Sequence, residues 1–374
     1  MIKRLFSIAL VLLLSDQISA QLTVWVADWP DTAGKPVYLA GNINAWNPET
    51  EGFQLEEKDS GLWLTISQVP TDGIAFKFTQ GSWATVELQA DGSDRPNRIY
   101  PKVDGDTIRC TIEKWSDGAP KKLPPLNANI QYHSIHVPYL AADRTIRVYV
   151  PPAYGQDTIS YPVVYLTDAQ NLFDVATSYA GEWEIDEVLD ERSKLGLPTA
   201  IVVGIDHAGD ARFNEYSPWA HPEYGGGLGD NFVKWLIDSV KSTIDETYRT
   251  KSKREYTFIG GSSLGGLISS YAVVEYNDVI GGAFIFSPSY WISAESFDHI
   301  MEKPITKPTK IYMTCGGMEG MQMLNDIMVV YGLLNEIKSP GKVIRLNIES
   351  DQQHNEDFWR REWPIAIDWM LEDC

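Results

Sequence analysis

The sequence is short of cysteine, of histidine and of positive charge, and each shortage excludes a class of protein. Three cysteines and six histidines occur among 374 residues, without the Cys/His spacing of a metal site, so we expect neither a metal nor another cofactor. Lysine and arginine number 31 against 51 acidic residues, which gives a formal charge of −20 at pH 7. Nucleic acids and anionic membranes are therefore poor partners.

Three cysteines cannot all pair within one chain. Cys110 lies in the N-terminal part, whereas Cys315 and Cys374 both lie in the C-terminal part of the sequence. Those two could form a disulfide or remain separate buried thiols, and spacing alone favours neither arrangement.

Long apolar runs are also missing. The run near the N-terminus, residues 5–14, is too short to cross a membrane, and no later run reaches the required length. Lys3 and Arg4 precede this run, and Ala20 supplies the small residue that a signal peptidase prefers. Residues 1–20 therefore have the pattern of a cleavable signal peptide. We expect an exported protein, periplasmic or extracellular, that does not bind a membrane.

The rest of the chain divides into three segments of different composition. Residues 21–117 hold short alternating apolar runs separated by Gly, Asn, Asp and Pro, which predicts a small all-β sandwich. Residues 118–128 are rich in proline and include paired lysines, as in a short stiff linker. In residues 129–374, apolar strands alternate with amphipathic helices, the pattern of a mostly parallel sheet with helices on both faces.

Residues 260–266 contain a GxSxG motif between a predicted strand and a predicted helix. A sharp turn from strand to helix leaves no room for a side chain two residues before or after the central serine. Ser263 has glycine at both positions, Gly261 and Gly265, whereas Ser262 does not. We therefore predict that Ser263 is a nucleophile whose hydroxyl stands above the edge of the sheet.

A serine nucleophile in this context needs a histidine base later in the chain. His299 lies in a predicted surface helix, whereas His354 lies between the last predicted strand and the last helix, where a loop would reach the elbow. His354 is therefore the predicted base. Glu319 follows the preceding strand and is the predicted acid that orients His354, with Asp326 and Asp351 as alternatives.

Two backbone N–H groups are expected to stabilise the oxyanion that forms in acyl transfer. One belongs to Leu264, at the start of the helix after the nucleophile. The second belongs to the loop 167–174 after an earlier strand, where Gln170 is the predicted donor. Asp168 in that loop is typical of a turn residue that caps its own loop. Four aromatic residues could line a pocket or pack in the core: Tyr216, Trp219, Tyr290 and Trp291.

Five segments of the second region together resemble the putative-esterase family of α/β hydrolases. They are 166–174, 214–219, the elbow, 286–291, and 354–356 with Trp359. That family includes feruloyl, acetylxylan, esterase D-like and siderophore trilactone esterases. The resemblance covers residues 129–374 and implies an α/β-hydrolase fold with ester hydrolysis by Ser263 and His354. One departure is Ala169, which stands where the family commonly has glycine.

The first region resembles starch- and glycogen-binding modules in the segments 41–48, 76–78, 81–83 and 97–98. In those modules two tryptophans, a lysine and an asparagine contact glucose units, and the matching residues here are Trp46, Lys77, Trp83 and Asn97. An indole ring can stack on the apolar face of a pyranose, while lysine and asparagine hydrogen-bond its hydroxyls. The alternative is that both tryptophans belong to the core or to a domain interface.

These features predict a secreted serine carboxylic ester hydrolase that acts on a glycan ester of acetyl or feruloyl type, or on a small ester, through an acyl-enzyme. Two alternatives remain. One is a siderophore lactone esterase, and the other is a glycan-binding protein whose hydrolase domain is inert.

Overall fold

The computed structural model describes residues 21–374 apart from short gaps. The predicted signal peptide, 1–20, and the predicted linker, 118–128, both lie outside the described residues. The other positions outside them are 33, 45, 59–60, 68, 70–72, 93–94, 96, 101–106, 180, 223, 337–340 and 373.

The N-terminal domain is a small β-sandwich. Its sheets have the strand orders β3-β4-β1-β8 and β2-β5-β7, with a separate pair β6-β9. Alternate side chains of β1, such as Val24 and Val26, pack against Phe76 and Phe78 of β5 in one apolar core. The strands are β1 (Leu22–Asp28), β2 (Tyr38–Gly41), β3 (Glu56–Lys58), β4 (Gly61–Ile66), β5 (Ile74–Thr79), β6 (Glu87–Leu88), β7 (Arg98–Tyr100), β8 (Thr107–Thr111) and β9 (Lys114–Trp115).

The second domain is built on a sheet with the strand order β10-β11-β13-β12-β16-β17-β18-β19. The pairs β10/β11 and β11/β13 are antiparallel, and the remaining neighbours are parallel. A small hairpin, β14 (Ala220–His221) and β15 (Gly225–Gly226), lies outside this sheet. The sheet strands are β10 (Ile130–Val137), β11 (Ala142–Tyr149), β12 (Val163–Thr167), β13 (Ile201–Ile205), β16 (Thr257–Ser262), β17 (Gly282–Phe286), β18 (Lys310–Gly316) and β19 (Val343–Glu349).

Helices cover both faces of this sheet, because apolar side chains form a separate buried cluster on each face. One cluster includes Leu267 and Ile327, and the other includes Leu189 and Trp363. The α/β-hydrolase fold class is thereby confirmed. The helices are α1 (Ile185–Lys194), α2 (Arg212–Tyr216), α3 (Gly229–Trp235), α4 (Ser242–Thr247), α5 (Leu264–Glu275), α6 (Glu295–Glu302), α7 (Met321–Glu336) and α8 (Glu356–Leu371), with a π-helical turn at Leu236–Lys241 between α3 and α4.

The two clusters also explain why Cys315 and Cys374 remain separate thiols. Cys315 belongs to the cluster on one face of the sheet, whereas Cys374 packs against the cluster on the other face. The structure accordingly has no disulfide between them.

Two helical positions hold residue types that usually stand elsewhere. Asp230, a residue type that favours the N-cap, lies within α3, and its carboxylate accepts hydrogen bonds from the hydroxyls of Tyr271 and Tyr276. Pro364, a residue type that usually kinks or breaks a helix, lies inside an uninterrupted α8. The fully buried Trp363 holds this part of the helix against the sheet, so packing outweighs the lost backbone hydrogen bond.

The carboxyl ends of β12, β16, β18 and β19 lie at one edge of the sheet, since these strands run parallel. The loops that follow them carry Asp168, Ser263, Glu319 and His354. Ligands of open α/β sheets bind outside this edge.

Candidate active site

Ser263 lies at the turn between β16 and α5 in a strained backbone conformation. Its φ is 58° and its ψ is −120°, values that a residue with a side chain rarely adopts. A Cβ atom at Gly261 would lie 2.0 Å from Thr167 Oγ1, and one at Gly265 would lie 2.2 Å from the same atom. The strand and the helix approach Thr167 so closely that both flanking positions require glycine. The local geometry is that of a nucleophile elbow.

The elbow is hydrogen-bonded to the loop after β17. Ser263 Oγ lies 3.1 Å from Ser289 Oγ, and the Ser289 N–H donates to the Ser263 carbonyl at 3.1 Å. The Ser263 N–H donates to the carbonyl of Phe286 at 2.9 Å. These bonds fix the backbone of the turn, while the side chain of Ser263 lines a cavity that His354 also lines.

His354 and Glu319 form a hydrogen-bonded pair. His354 Nδ1 lies 2.7 Å from Glu319 Oε2, and the Glu319 side chain is fully buried whereas 31% of the His354 side chain is exposed. Glu319 Oε1 accepts two further hydrogen bonds of 2.6 Å, from the Gly316 N–H and from the Ser287 hydroxyl. The carboxylate is therefore fixed in orientation, and its contact with Nδ1 leaves His354 Nε2 available as a base.

The alternative base and the alternative acids occupy other positions. His299 is in α6 and pairs with a glutamate of α5. Asp326 is in α7, where burial raises the pKa of its carboxyl, and Asp351 is exposed. Among these carboxylates, the structure places Glu319 against His354.

The two predicted oxyanion donors have different surroundings. Leu264 lines the cavity as the first residue of α5, at the helix end where backbone N–H groups lack intrahelical partners. Gln170 lies in the short turn Ala169–Asn171, but the cavity lining contributed by this loop comes from Asp168 and Asn171. The Gln170 side chain instead accepts a hydrogen bond from the His207 N–H at 3.1 Å. The role of the Gln170 N–H stays a prediction.

Asp168 is paired with Arg212 rather than capping its own loop. Its φ is 56°, and its two carboxylate oxygens accept hydrogen bonds of 2.6 and 2.8 Å from Arg212 Nε and a terminal guanidinium nitrogen. Burial opposes the charge of Arg212, but Asp168 outweighs this effect and raises the pKa of the guanidinium. Both residues line the cavity, so the pair stiffens one of its walls.

A cavity of about 340 Å³ lies between the two domains and is lined by residues from both sets of predicted site residues. The hydrolase domain contributes Ser263, Leu264 and His354. The N-terminal domain contributes all four residues matched to sugar-binding modules, which are Trp46, Lys77, Trp83 and Asn97. Residues far apart in the sequence thus line one cavity.

Hydrogen bonds hold the turn at Trp83 against the hydrolase domain. Asp210 accepts one from the Ser82 hydroxyl at 2.9 Å and one from the Trp83 N–H at 3.1 Å. The Tyr179 hydroxyl donates to the Trp83 carbonyl at 3.2 Å, and its ring meets the indole edge-on with centroids 5.7 Å apart. The ring of Trp46 is also near Trp83, tilted by 35° with its centroid 6.3 Å away. The N-terminal domain therefore forms one wall of the cavity.

The cavity carries more acidic than basic side chains. Burial raises the pKa of Glu356, at the start of α8, and lowers the pKa of His207 to about 4, so this histidine is neutral at pH 7. A neutral substrate meets less electrostatic opposition here than a polyanion does. The lining carboxylates are Glu49, Asp168, Asp210 and Glu356, and the lining cations are Lys77 and Arg212.

The aromatic walls differ from those considered in the sequence. Tyr216, Trp219, Tyr290 and Trp291 pack in the core cluster of the hydrolase domain and do not line the cavity. Of the two alternatives that the sequence left open for these four residues, the structure shows packing in the core. A sequence does not show which way an aromatic ring points, so it did not identify the rings that line the cavity, although Trp359 lies in a family segment. Besides the two tryptophans of the N-terminal domain, the aromatic lining residues are Tyr179, Phe213, Tyr224 and Trp359.

In the described part of the chain, one group of side chains has the spacing of metal ligands: Glu182, Asp186 and Glu187. It lies at the start of α1, and none of its members lines the cavity. No helix among the described residues is long and apolar enough to cross a membrane.

Comparison with known proteins identifies the family. Residues 138–359 match the family described as Putative esterase. The chain belongs to this family. A relative, the uncharacterized protein YbbA of Bacillus subtilis (strain 168), is 26% identical over 245 residues, which cover 62% of this chain and 93% of YbbA. The resemblance expected from the five segments is confirmed, and membership of this family makes the protein an ester hydrolase.

Two solved structures share the fold. The enterobactin esterase from Shigella flexneri, solved in the presence of enterobactin, has a TM-score of 0.56 at 14% identity, and the match covers 90% of this chain and 88% of that chain. A ferulic acid esterase has a TM-score of 0.51 at 14% identity, covering 65% of this chain and 97% of that chain. The first match covers more than the hydrolase domain alone, so it includes part of the N-terminal domain.

Proposed function

We propose that this protein is a secreted serine carboxylic ester hydrolase that acts on acetyl or feruloyl esters of glycans through an acyl-enzyme. The observation that carries the proposal is the shared cavity, which Ser263 and His354 line together with Trp46 and Trp83. One part of the cavity can cleave an ester, and the other offers aromatic faces suited to a pyranose. A glycan ester is the substrate class that uses both.

In acylation, Ser263 Oγ attacks the carbonyl carbon of the ester while His354 Nε2 removes the hydroxyl proton. Because Ser263 Oγ contacts Ser289 Oγ in the free protein, the hydroxyl first turns toward His354. Glu319, hydrogen-bonded to Nδ1 at 2.7 Å, holds the ring and stabilises the imidazolium. The oxyanion forms beside the N-terminus of α5, where the Leu264 N–H can donate to it.

Collapse of this intermediate breaks the bond between the carbonyl carbon and the alkoxy oxygen, and His354 gives its proton to the departing alcohol. Water then attacks the acyl-enzyme while His354 accepts a proton from it. The bond to Ser263 Oγ breaks, the serine takes back the proton, and the carboxylic acid leaves.

The N-terminal domain would hold the sugar of the alcohol. Trp46 and Trp83 are partly exposed in the cavity, and Asn97 beside them offers both a donor and an acceptor to hydroxyl groups. Lys77 also lines the cavity but is only 2% exposed, so little of its side chain is accessible to a sugar. The excess of carboxylates over cations suits an uncharged sugar.

Hydrolysis of a siderophore lactone is the alternative that one observation favours, because the enterobactin esterase shares the fold over 90% of this chain. The charges of the cavity oppose it. Glu49 and Asp210 both line the space that a multiply negative ferric siderophore would enter. We expect kcat/KM for a feruloylated or acetylated oligosaccharide to exceed that for a ferric trilactone, and the reverse order would favour the alternative.

Turnover of p-nitrophenyl acetate tests the chemistry directly. The wild type should hydrolyse it, and Ser263→Ala should lose activity by a factor on the order of a thousand or more without a change in melting temperature. Equal activity of the two proteins would refute the assignment of Ser263. Inactivity of both, together with retention on a glycan, would favour a binding protein with an inert hydrolase domain.

Export is supported by the pattern of residues 1–20 and has its own test. Protein recovered from the periplasm or the medium should begin at Gln21. A mature protein that still carries Met1, recovered from the cytoplasm, would contradict export.

A further inference from the structure

Ser287 is hydrogen-bonded to Glu319 of the His354–Glu319 pair, and its hydroxyl makes two hydrogen bonds in all. It directly follows β17, is fully buried, and has a φ of 43°. Its Oγ donates to Glu319 Oε1 at 2.6 Å and accepts from Trp359 Nε1–H at 2.9 Å. Its backbone N–H donates to the Thr314 carbonyl at 2.8 Å. The side chain is therefore held in one position.

The direction of these hydrogen bonds follows from the donor groups. An indole N–H can only donate, so the Ser287 oxygen accepts from Trp359 and its own proton is directed to Glu319. Glu319 Oε1 also accepts from the Gly316 N–H at 2.6 Å, so this oxygen is occupied by two donors. The other oxygen, Oε2, is left to accept from His354 Nδ1. This places the proton of the neutral imidazole on Nδ1 and leaves Nε2 as the base.

We propose that Ser287, backed by Trp359, is a positioning residue that sets the orientation and tautomer of His354 through Glu319. The chain of donors runs in one direction, from Trp359 to Ser287 to Glu319 to His354. Trp359 also meets the His354 ring edge-on, with centroids 5.0 Å apart at 86°, so it holds the imidazole from a second side. The proposal deepens the proposed function and rests on it where ester turnover is the readout.

A double-mutant cycle distinguishes positioning from mere packing. In the wild-type background, Ser287→Ala should lower kcat/KM for p-nitrophenyl acetate by about tenfold. In the Glu319→Ala background the same substitution should change kcat/KM by less than about twofold, because the hydroxyl then has no carboxylate to orient. A tenfold loss in both backgrounds would overturn the proposal.

The pH profile supplies a second readout. A carboxylate with fewer donors holds a protonated imidazole more firmly, so the acidic limb of kcat/KM should move to higher pH in Ser287→Ala. An unmoved limb together with a loss of activity would indicate a structural role. The low-field proton resonance of His354 Nδ1–H should also shift in this variant, and an unchanged resonance would contradict the proposal even if the protein hydrolysed no ester.

Three further variants serve as controls. Ser287→Gly removes the hydroxyl but tolerates the positive φ, so it should lose as much activity as Ser287→Ala and can replace it if the alanine variant does not fold. Trp359→Phe keeps a ring but removes the N–H, and should lose about threefold. Ser296→Ala removes a hydroxyl that is equally buried, at 2% exposure, and bonded to the Ser293 carbonyl at 2.7 Å in α6. This last variant should match the wild type, and a comparable loss would refute the proposal.

Discussion

The contacts of single residues explain why parts of the site could be predicted and others could not. The elbow at Ser263 requires glycine two residues before and two residues after the serine. This requirement is local in the sequence, so a GxSxG motif is enough to predict the elbow. Glu319 could be placed because the loop after a given strand has a known position at the edge of the sheet. Arg212 could not, since it lies 44 residues from its partner Asp168 and no local pattern links an ion pair at that separation.

Loss of the predicted base should reduce ester turnover more than loss of the predicted acid. His354→Ala should lose p-nitrophenyl acetate turnover by a factor on the order of a thousand, since the base and the nucleophile act as a unit. Glu319→Ala should lose less, about tenfold to a hundredfold, because Trp359 still contacts the His354 ring. Asp351→Ala is the control and should match the wild type. A crippled Asp351→Ala or Asp326→Ala beside a fully active Glu319→Ala would show that the acid is misassigned.

Among the elements, the sheet was the easiest to predict and the loop after β13 the hardest. Buried apolar runs alternating with helices indicate a parallel sheet, and that pattern does not depend on distant contacts. The loop after β13 is held instead by long-range bonds, from Gln170 to the His207 backbone and from Asp210 to the Trp83 turn. Its position at the cavity follows from those bonds, which a single sequence does not reveal.

This loop should make the protein sensitive to acid. Burial lowers the pKa of His207 to about 4, and its Nδ1 accepts a hydrogen bond from the Gly209 N–H at 3.0 Å, so the folded state requires the neutral ring. In the unfolded chain His207 binds a proton near pH 6.5. The contribution of the neutral His207 ring to the stability of the fold is therefore complete above that pH and is lost as the pH falls toward 4. His207→Gln should flatten the dependence of Tm on pH in this window, by roughly 3 °C or more between pH 7 and pH 4.5.

The exposed His136 provides the control for this prediction. Its ring nitrogen pairs with Asp143 at the surface, where both side chains are more than half exposed. His136→Gln should leave the slope of Tm against pH as in the wild type. If His207→Gln keeps the wild-type slope, or if His136→Gln flattens it equally, burial of His207 does not account for the acid sensitivity.

At the scale of the whole molecule, the arrangement of the two domains could not be predicted from sequence patterns. The β-sandwich and the α/β hydrolase domain each have their own periodicity, but the eleven positions of the predicted linker are compatible with many arrangements of the domains. A separate targeting module and a wall of the active site have the same local sequence signals. The distinction comes from contacts such as those of Trp83 with Asp210 and Tyr179.

A second pair of tryptophans in the N-terminal domain provides a control for the role of Trp46 and Trp83. Trp25 and Trp63 stack on neighbouring strands β1 and β4 with centroids 5.2 Å apart, and neither lines the cavity. A Trp25→Ala/Trp63→Ala variant removes as much aromatic surface from the same domain as a Trp46→Ala/Trp83→Ala variant does. Both double variants are compared with the wild type by Tm and by turnover of two substrates.

The most direct test is the ratio of kcat/KM for a feruloylated or acetylated oligosaccharide to that for p-nitrophenyl acetate. In Trp46→Ala/Trp83→Ala this ratio should fall by about tenfold or more, mainly through KM, because two stacking faces for the sugar are lost while the elbow is intact. In Trp25→Ala/Trp63→Ala the ratio should stay at the wild-type value. An unchanged ratio in Trp46→Ala/Trp83→Ala, whether both activities are retained or fall together with Tm, would contradict a sugar-binding wall in the active site.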